Sequence, residues 1–278
     1  MAKQIIKEQS IALTLTVITC LLMVALLTGE IHVLNRFTSD DIALHIRLSD
    51  ILVGMTIYLK TAIDFAIFIG RLMSHNKGLK GRIGIEVGTA LGNAVGTFAI
   101  LAIWTFFKEI NWLLGIMVFI AALVLFRLAQ DGLEHVDHED TKYPGWFRRP
   151  VKNFKKFITF INRITNPFLS KIVPSHTLEA KANKTLIGLL VMSFTVPFLL
   201  GLDDFAGYVP LFNIVNVYGF AIGVFVGHMI LNIFLYLSPK RTIAAVKNPI
   251  ISLLGSIAFV ILAVWGLLEA IKLLFLHH

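Results

Sequence analysis

Three aspartates of this sequence stand inside long apolar runs, where acidic side chains are rare. Asp64 lies within residues 61–71 (TAIDFAIFIGR), and Asp203 and Asp204 lie within residues 200–208 (LGLDDFAGY). An ionised carboxylate in the middle of a bilayer costs about 2.5–3.5 kcal/mol on insertion scales, so such residues usually mark an ion path or a proton relay. Asp64 could instead pair with Lys60, one helical turn before it, and only neutralise that charge.

Amide, acidic and imidazole side chains in other apolar runs could complete a binding site. Glu86 and Asn93 are seven residues apart and share a helical face, as do His228 and Asn232 at a spacing of four. Carboxylate and amide oxygens suit hard divalent cations such as Mn²⁺, Mg²⁺ or Ca²⁺, and carboxylates also carry protons. We therefore predict a divalent-cation site and no other cofactor. Its candidate ligands are Asp64, Asp203, Asp204, Asn93, Asn232, Glu86 and His228.

The composition around these residues is that of a membrane protein. Of the 278 residues, 56% are hydrophobic and 15% are charged, which is too apolar for an ordinary soluble domain. The apolar residues fall in blocks of about twenty or more, the length that a helix needs to cross a bilayer. The sequence predicts an all-α membrane protein with seven transmembrane helices, at about 10–34, 49–73, 83–107, 111–130, 185–212, 213–237 and 249–273.

The distribution of positive charge predicts the orientation of these helices. The net charge is +8, and Lys and Arg accumulate in residues 74–82, 131–184 and 238–248 but not in 35–48 or 108–110. Because cytoplasmic loops carry the excess of Lys and Arg, we expect a multi-pass protein of the plasma (inner) membrane. Its N-terminus would be cytoplasmic and its C-terminus outside. We expect no nucleic-acid partner, because no soluble segment is long enough to form a basic binding domain.

An internal repeat relates the two halves of the chain. A shift of 140 residues places the Asp-Phe-Ala at 64–66 on the Asp-Phe-Ala at 204–206. A shift of 139 places Gly84, Gly88 and Asn93 on Gly223, Gly227 and Asn232. Because each repeat holds three spans, the second must be inserted upside down, an arrangement common in transporters. The predicted units are 1–48 (an added first span), 49–130 (first repeat), 131–184 (cytoplasmic) and 185–278 (second repeat).

The cytoplasmic unit holds two further candidate sites. Residues 131–140 (DGLEHVDHED) would place acidic and histidine side chains on one helical face, where they could collect metal or simply form a solvated acidic surface. Residues 146–173 alternate apolar and basic positions at helical spacing. This pattern predicts a helix that lies on the inner leaflet and contacts anionic lipids, with burial against the rest of the protein as the alternative.

These motifs together resemble the LysE superfamily of membrane transporters, most closely its TerC-type and MntP-type cation exporters. The resemblance covers the second to seventh spans and rests on residues 60–66 (KTAIDFA) and 201–206 (GLDDFA), each followed by a glycine-rich span, 84–93 and 223–232. It implies export of Mn²⁺ or a related divalent ion. It also implies that Asp64 and Asp203 are ligands of the transported ion.

The leading functional hypothesis is a secondary exporter of divalent cations rather than an enzyme. No Walker motif is present, so ATP is not expected to drive transport directly. Export of small organic cations or amino acids, as in LysE proteins, is an alternative in which Lys60 would pair with a substrate carboxylate. An alternative of another class is an intramembrane aspartyl protease, because two close carboxylates can share a proton and activate water.

Overall fold

A computed structural model describes residues 2–76, 78–134, 145–172, 186–195, 198, 209–213, 215–246 and 248–275. Every secondary-structure element in these ranges is helical, which confirms the predicted all-α class for them. The elements are α1 (Ala2–Leu34), α2 (Leu48–Thr61), α3 (Ile63–His75), α4 (Leu79–Phe107), α5 (Asn111–Glu134), α6 (Gly145–Ile172), α7 (Leu186–Thr195), a 3₁₀ helix (Val209–Asn213), α8 (Val217–Leu237), α9 (Pro239–Val246) and α10 (Pro249–Phe275).

Five of these helices are long and apolar enough to cross a membrane. The candidate spans are Leu13–Leu34, Leu79–Phe107, Asn111–Leu133, Val217–Leu237 and Pro249–Phe275. The shortest has 21 residues, which at about 1.5 Å per residue covers a hydrocarbon core of about 30 Å. Large apolar side chains stay exposed on the outer helices, such as Leu21 (66%) and Ile261 (63%), as expected of a surface that lipid covers.

The second predicted span, at 49–73, is two helices rather than one continuous helix. α2 and α3 meet at a 68° bend. Ala62 ends α2 by donating its N–H to the Tyr58 carbonyl (2.9 Å), and its own carbonyl accepts from Ala66 in the first turn of α3 (2.8 Å). The bent pair is either a broken span or a re-entrant loop, and it brings the number of spans to at most six in the described ranges.

The two helices on either side of the bend pack against different neighbours. At the end of α2, the Lys60 Nζ donates to the Ile251 carbonyl of α10 (2.7 Å). In α3, Gly70 lies against Ile243 of α9. The side chain of Asp64 lies outside the described residues, so its predicted pairing with Lys60 stays a prediction. The fifth predicted span is described only as α7, Phe198 and the 3₁₀ helix, so the count of seven stays a prediction.

Two glycine-lined contacts hold the bundle together, and both join helices that run in the same direction. The first lies between α2 and α8, where Gly219, Gly223 and Gly227 meet Asp50, Ile51 and Met55 in ascending order. The second lies between α4 and α7, where Gly84, Gly88 and Gly92 meet Leu186, Leu190 and Phe194. Glycine permits such close backbone approach, which drives helix association where lipid removes the hydrophobic effect.

The last long contact joins α5 and α10, which run in opposite directions. Gly115 at the start of α5 lies against Leu274 near the end of α10, and Gly132 near the end of α5 lies against Ser256. Contacts between the segments that join the helices are consistent with these helix directions. Ser39, after α1, donates its N–H to Glu109 between α4 and α5 (3.2 Å), and Asn216, before α8, donates to the Ala43 carbonyl (2.8 Å). These three connections therefore lie on one side of the bundle.

Candidate functional site

A carboxyl group with no exposed surface lies at the centre of the bundle. Glu86, in α4, is 0% exposed. Its Oε1 accepts from the Thr19 hydroxyl of α1 (3.1 Å), and its Oε2 accepts from Asn232 Nδ2 of α8 (3.1 Å). Thr16 of α1 and Tyr236 of α8 also lie within hydrogen-bonding range of this carboxyl. Two helices, α1 and α8, thus direct polar groups at a single acidic side chain of α4.

Glu86 forms no ion pair in the part of the chain that the structure describes, where the ion pair found is Lys272–Glu269 at the end of α10. Arg82, one turn before Glu86 in α4, lies over the Tyr236 ring, 5.9 Å from its centroid. A buried carboxylate without a counter-charge is stabilised by hydrogen bonds, by a bound cation or by taking up a proton. The hydrogen bonds are present. The remaining charge is therefore available for a proton or a cation to neutralise.

A chain of hydrogen bonds connects Glu86 to α2. The Asn232 Nδ2 that donates to Glu86 also lies 3.1 Å from His228 Nε2, and His228 Nδ1 lies 2.8 Å from the Tyr58 hydroxyl. All four side chains are buried. In the tautomer that fits an amide proton donated to Glu86 and one to His228, Nε2 accepts from Asn232, and the proton on Nδ1 is donated to the Tyr58 oxygen. We call Glu86, Thr19, Asn232, His228 and Tyr58 the Glu86 cluster.

The structure brings together three of the residues that the sequence nominated as ligands, namely Glu86, His228 and Asn232. Asn93 lies two turns further along α4, buried at 2% exposure, and its Nδ2 has no hydrogen-bond partner among the described residues. The Thr89 hydroxyl lies between them along α4, 3.4 Å from Asn232 Nδ2. The predicted helical face of α4 that carries Glu86 and Asn93 therefore contacts α8 at its Glu86 end.

The three aspartates remain untested as ligands. Asp64 falls in the first turn of α3, but its side chain lies outside the described residues, as do Asp203 and Asp204 entirely. The start of α3 does lie beside the cluster, because the Phe65 ring centroid is 5.5 Å from that of His228. The predicted pairing of aspartates between the two repeats stays a prediction, and so does the protease alternative that depends on it. Most of the acidic and histidine run at 131–140 also falls outside the described ranges.

Residues of α1 and α2 complete the site, and the sequence analysis did not nominate them. Thr16 and Thr19 are three residues apart in an otherwise apolar helix, and this spacing was the available signal for a polar face. Tyr58 is the residue of α2 that contacts His228. The first span therefore contributes side chains to the candidate site.

The cluster retains hydrogen-bonding capacity that its own members do not use. Asn232 Oδ1 is buried without a hydrogen-bond partner among the described residues. Carboxylate, amide and hydroxyl oxygens are the ligands that hard cations prefer. In the described ranges no group of three or more His, Cys, Asp or Glu side chains is close enough to hold a metal ion. The described part of the site therefore offers oxygen atoms of the kind that a proton or a hard cation binds.

Comparisons with known proteins find no match: no protein-family model fits the chain, and no curated protein or solved structure is significantly similar to it. The likeness to the LysE superfamily stays a prediction from the motifs quoted above.

Proposed function

We propose that this protein is a secondary transporter that moves cations across a membrane, with Glu86 as the carboxyl that binds an ion or a proton between the membrane-spanning helices. One observation carries this proposal. Glu86 is completely buried seven residues into α4, with donors from α1 and α8 and no ion pair among the described residues. Acidic residues kept at such a place are generally functional, because a purely structural role would be served by an uncharged side chain at lower cost.

The hydrogen bonds of the cluster suit both protonation states of Glu86. When Glu86 is ionised, Asn232 Nδ2 donates to it and to His228. When Glu86 is protonated, a half-turn of the amide would bring Oδ1, which has no partner in the first state, to accept from the carboxyl. Because the Asn232 amide has both a donor and an acceptor, it can form a hydrogen bond with Glu86 in either protonation state.

The cargo in this proposal is a divalent cation such as Mn²⁺, Mg²⁺ or Ca²⁺, exported in exchange for protons. Asp64, Asp203, Asp204 and Asn93 would be its further ligands. Two arrangements in the bundle support an inverted repeat around such a site. α2 of the first repeat packs in parallel on glycines of α8 in the second repeat, and α7 of the second repeat packs in parallel on glycines of α4 in the first. The last helices of the two repeats, α5 and α10, are antiparallel. Inverted repeats place the substrate site between the two halves, near the midplane.

The organic-substrate alternative has less support. In that alternative Lys60 would pair with a carboxylate of the substrate. In the structure the Lys60 ammonium donates to the Ile251 carbonyl. The membrane in this proposal is the plasma (inner) membrane, with a cytoplasmic N-terminus and an outside C-terminus. That orientation rests on the basic loops alone.

Flux measurements in proteoliposomes test the proposal. The full chain would be reconstituted with one dye for Mn²⁺ and one for pH inside the vesicles. We expect Mn²⁺ entry coupled to proton exit, and a loss of at least about tenfold in Glu86→Gln, equivalent to about 1.4 kcal/mol. The control is Glu109→Gln, the same chemical change in the exposed connection between α4 and α5. Unchanged flux in Glu86→Gln would overturn the role of Glu86, and proton movement without Mn²⁺ would overturn the choice of cargo.

A further inference from the structure

The amphipathic helix α6 is attached to the membrane bundle along one of its faces. Val151 and Ile158 are completely buried in a cluster with Leu125 and Leu133 of α5. Asn162 Nδ2 donates to the Phe126 carbonyl (3.0 Å) and to Gln130 (2.7 Å) of α5. The alternative of burial against the protein is therefore correct for this face. It does not account for the rest of the helix.

A second face of α6 is apolar and exposed. Phe157, Phe160 and Ile164 are exposed by 52%, 64% and 65%. With successive residues about 100° apart, these three side chains fall within about 60° of one another, well away from the buried face. We call them the apolar stripe. Two phenylalanines and an isoleucine side by side on the surface make a contact surface for an apolar partner.

A third face, directly beside the apolar stripe, is cationic. Arg149, Lys152, Lys156 and Arg163 are all exposed and also fall within about 60° of one another. We call them the cationic face. α6 contains no acidic residue that would neutralise them. An apolar stripe next to a cationic face is the pattern of a helix that lies at the boundary between acyl chains and anionic headgroups.

The contacts with α5 place both faces at that boundary. Lys155 Nζ lies 3.4 Å from the carbonyl of Leu133, the last residue of the α5 span. Asn162 is level with Phe126, seven residues earlier in α5, which is about 10 Å deeper along the span. The N-terminal half of α6 is therefore level with the headgroups, where Lys152 and Lys156 are. The C-terminal half descends among the acyl chains with Phe160 and Ile164.

From this geometry we infer that α6 is a binding site for anionic phospholipid, with the headgroup phosphate on Arg149, Lys152 and Lys156 of the cationic face and an acyl chain along the apolar stripe. The occupant is a lipid rather than a second protein because these three cations lie at the depth of the headgroups, and Phe160 and Ile164 lie at the depth of the acyl chains. Each cation near an anionic surface contributes a factor of about five in affinity. This site is independent of the proposed transport function, because none of its residues belongs to the Glu86 cluster.

Native mass spectrometry of the full chain would test the site by counting bound lipids during titration with phosphatidylglycerol or phosphatidylcholine. We expect the protein to bind phosphatidylglycerol more tightly. Replacing two charges, in Lys152→Gln with Lys156→Gln, should weaken phosphatidylglycerol by about 30-fold and leave phosphatidylcholine unchanged. The control is Lys240→Gln with Arg241→Gln, an equal loss of exposed charge on α9. Equal weakening in both double variants, or no preference in the native protein, would overturn the inference.

A second measurement keeps the inference testable if the charge variant folds poorly. A fluorophore attached at Phe160→Cys, in a Cys20→Ser background, would be exposed to bilayers that contain spin-labelled lipid. Stronger quenching by labelled phosphatidylglycerol than by labelled phosphatidylcholine is the expected result. A probe insensitive to both lipids, together with protein of dimeric mass, would assign the apolar stripe to a contact between two copies of this chain and would refute the lipid site.

Discussion

Gly88 provides the sharpest test of how α4 is positioned, because the neighbouring helix leaves no room for a side chain. A Cβ at this position would lie 2.6 Å from the Leu190 carbonyl oxygen and 2.7 Å from Ser193 Cβ, both on α7. Ordinary van der Waals contact begins at 3.4 Å, so in Gly88→Ala the helices must separate by 3.4 − 2.6 = 0.8 Å. A gap of that size forfeits a quarter to a half of the dispersion attraction along the contact.

Overpacking of this kind costs about 1–3 kcal/mol, and we expect Gly88→Ala to lower the free energy of unfolding by that amount. The measurement is a denaturant titration of the full chain in mixed micelles, followed by circular dichroism. The matched control is Gly29→Ala. Gly29 is also in a membrane-spanning helix, with nothing within 4 Å of an added Cβ, so alanine should be neutral or stabilising by up to about 1 kcal/mol.

The reasoning would be refuted if Gly88→Ala and Gly29→Ala were equally stable, because that result would mean that α7 does not lie against α4. An intermediate case strengthens the series. At Gly132 the nearest atom to an added Cβ is the Ser256 hydroxyl oxygen at 2.8 Å, a small side-chain group that can turn away. Gly132→Ala should therefore cost less than Gly88→Ala.

Two further predictions concern hydrogen bonds. Tyr58→Phe should destabilise the protein by about 1–3 kcal/mol, because it leaves the buried Nδ1–H of His228 without its acceptor. The control is Tyr218→Phe, which should lower the free energy of unfolding by about half as much or less in the same micelle titration. Its partner Thr28 keeps a hydrogen bond to the Val24 carbonyl. Equal losses of stability in the two variants would contradict the assigned tautomer. Outside the membrane, the Ser39 hydroxyl bond is the main cause that lowers the pKa of Glu109 below its ordinary value of 4.5. Stability from this bond is therefore present above about pH 4.5 and lost as the pH falls through the lowered pKa. The difference in melting temperature between the native protein and Ser39→Ala should shrink over that range, and a constant difference would refute the assignment.

The pattern of apolar residues was sufficient to locate most of the helices. The spans predicted at 83–107 and 249–273 correspond to α4 (Leu79–Phe107) and α10 (Pro249–Phe275), and the amphipathic helix predicted at 146–173 corresponds to α6 (Gly145–Ile172). An apolar run of this length can satisfy its backbone polar groups in a membrane only by forming a helix, so the local sequence is decisive. The polar stripe on α4 was predictable for the same reason, because helical spacing alone places Glu86 and Asn93 on one face.

The site itself depended on the tertiary structure. No local pattern joins Thr19, Glu86 and Asn232, which are separated by 67 and 146 residues along the chain, and meet only because α1, α4 and α8 pack together. The break at Ala62 lacks a proline or glycine beside it, so no local signal in the sequence marks its position. The sequence alone determined which segments are helices, since that choice depends on neighbours along the chain. The tertiary structure decided which carboxyl is buried at the centre and what surrounds it, since those contacts depend on how distant helices pack.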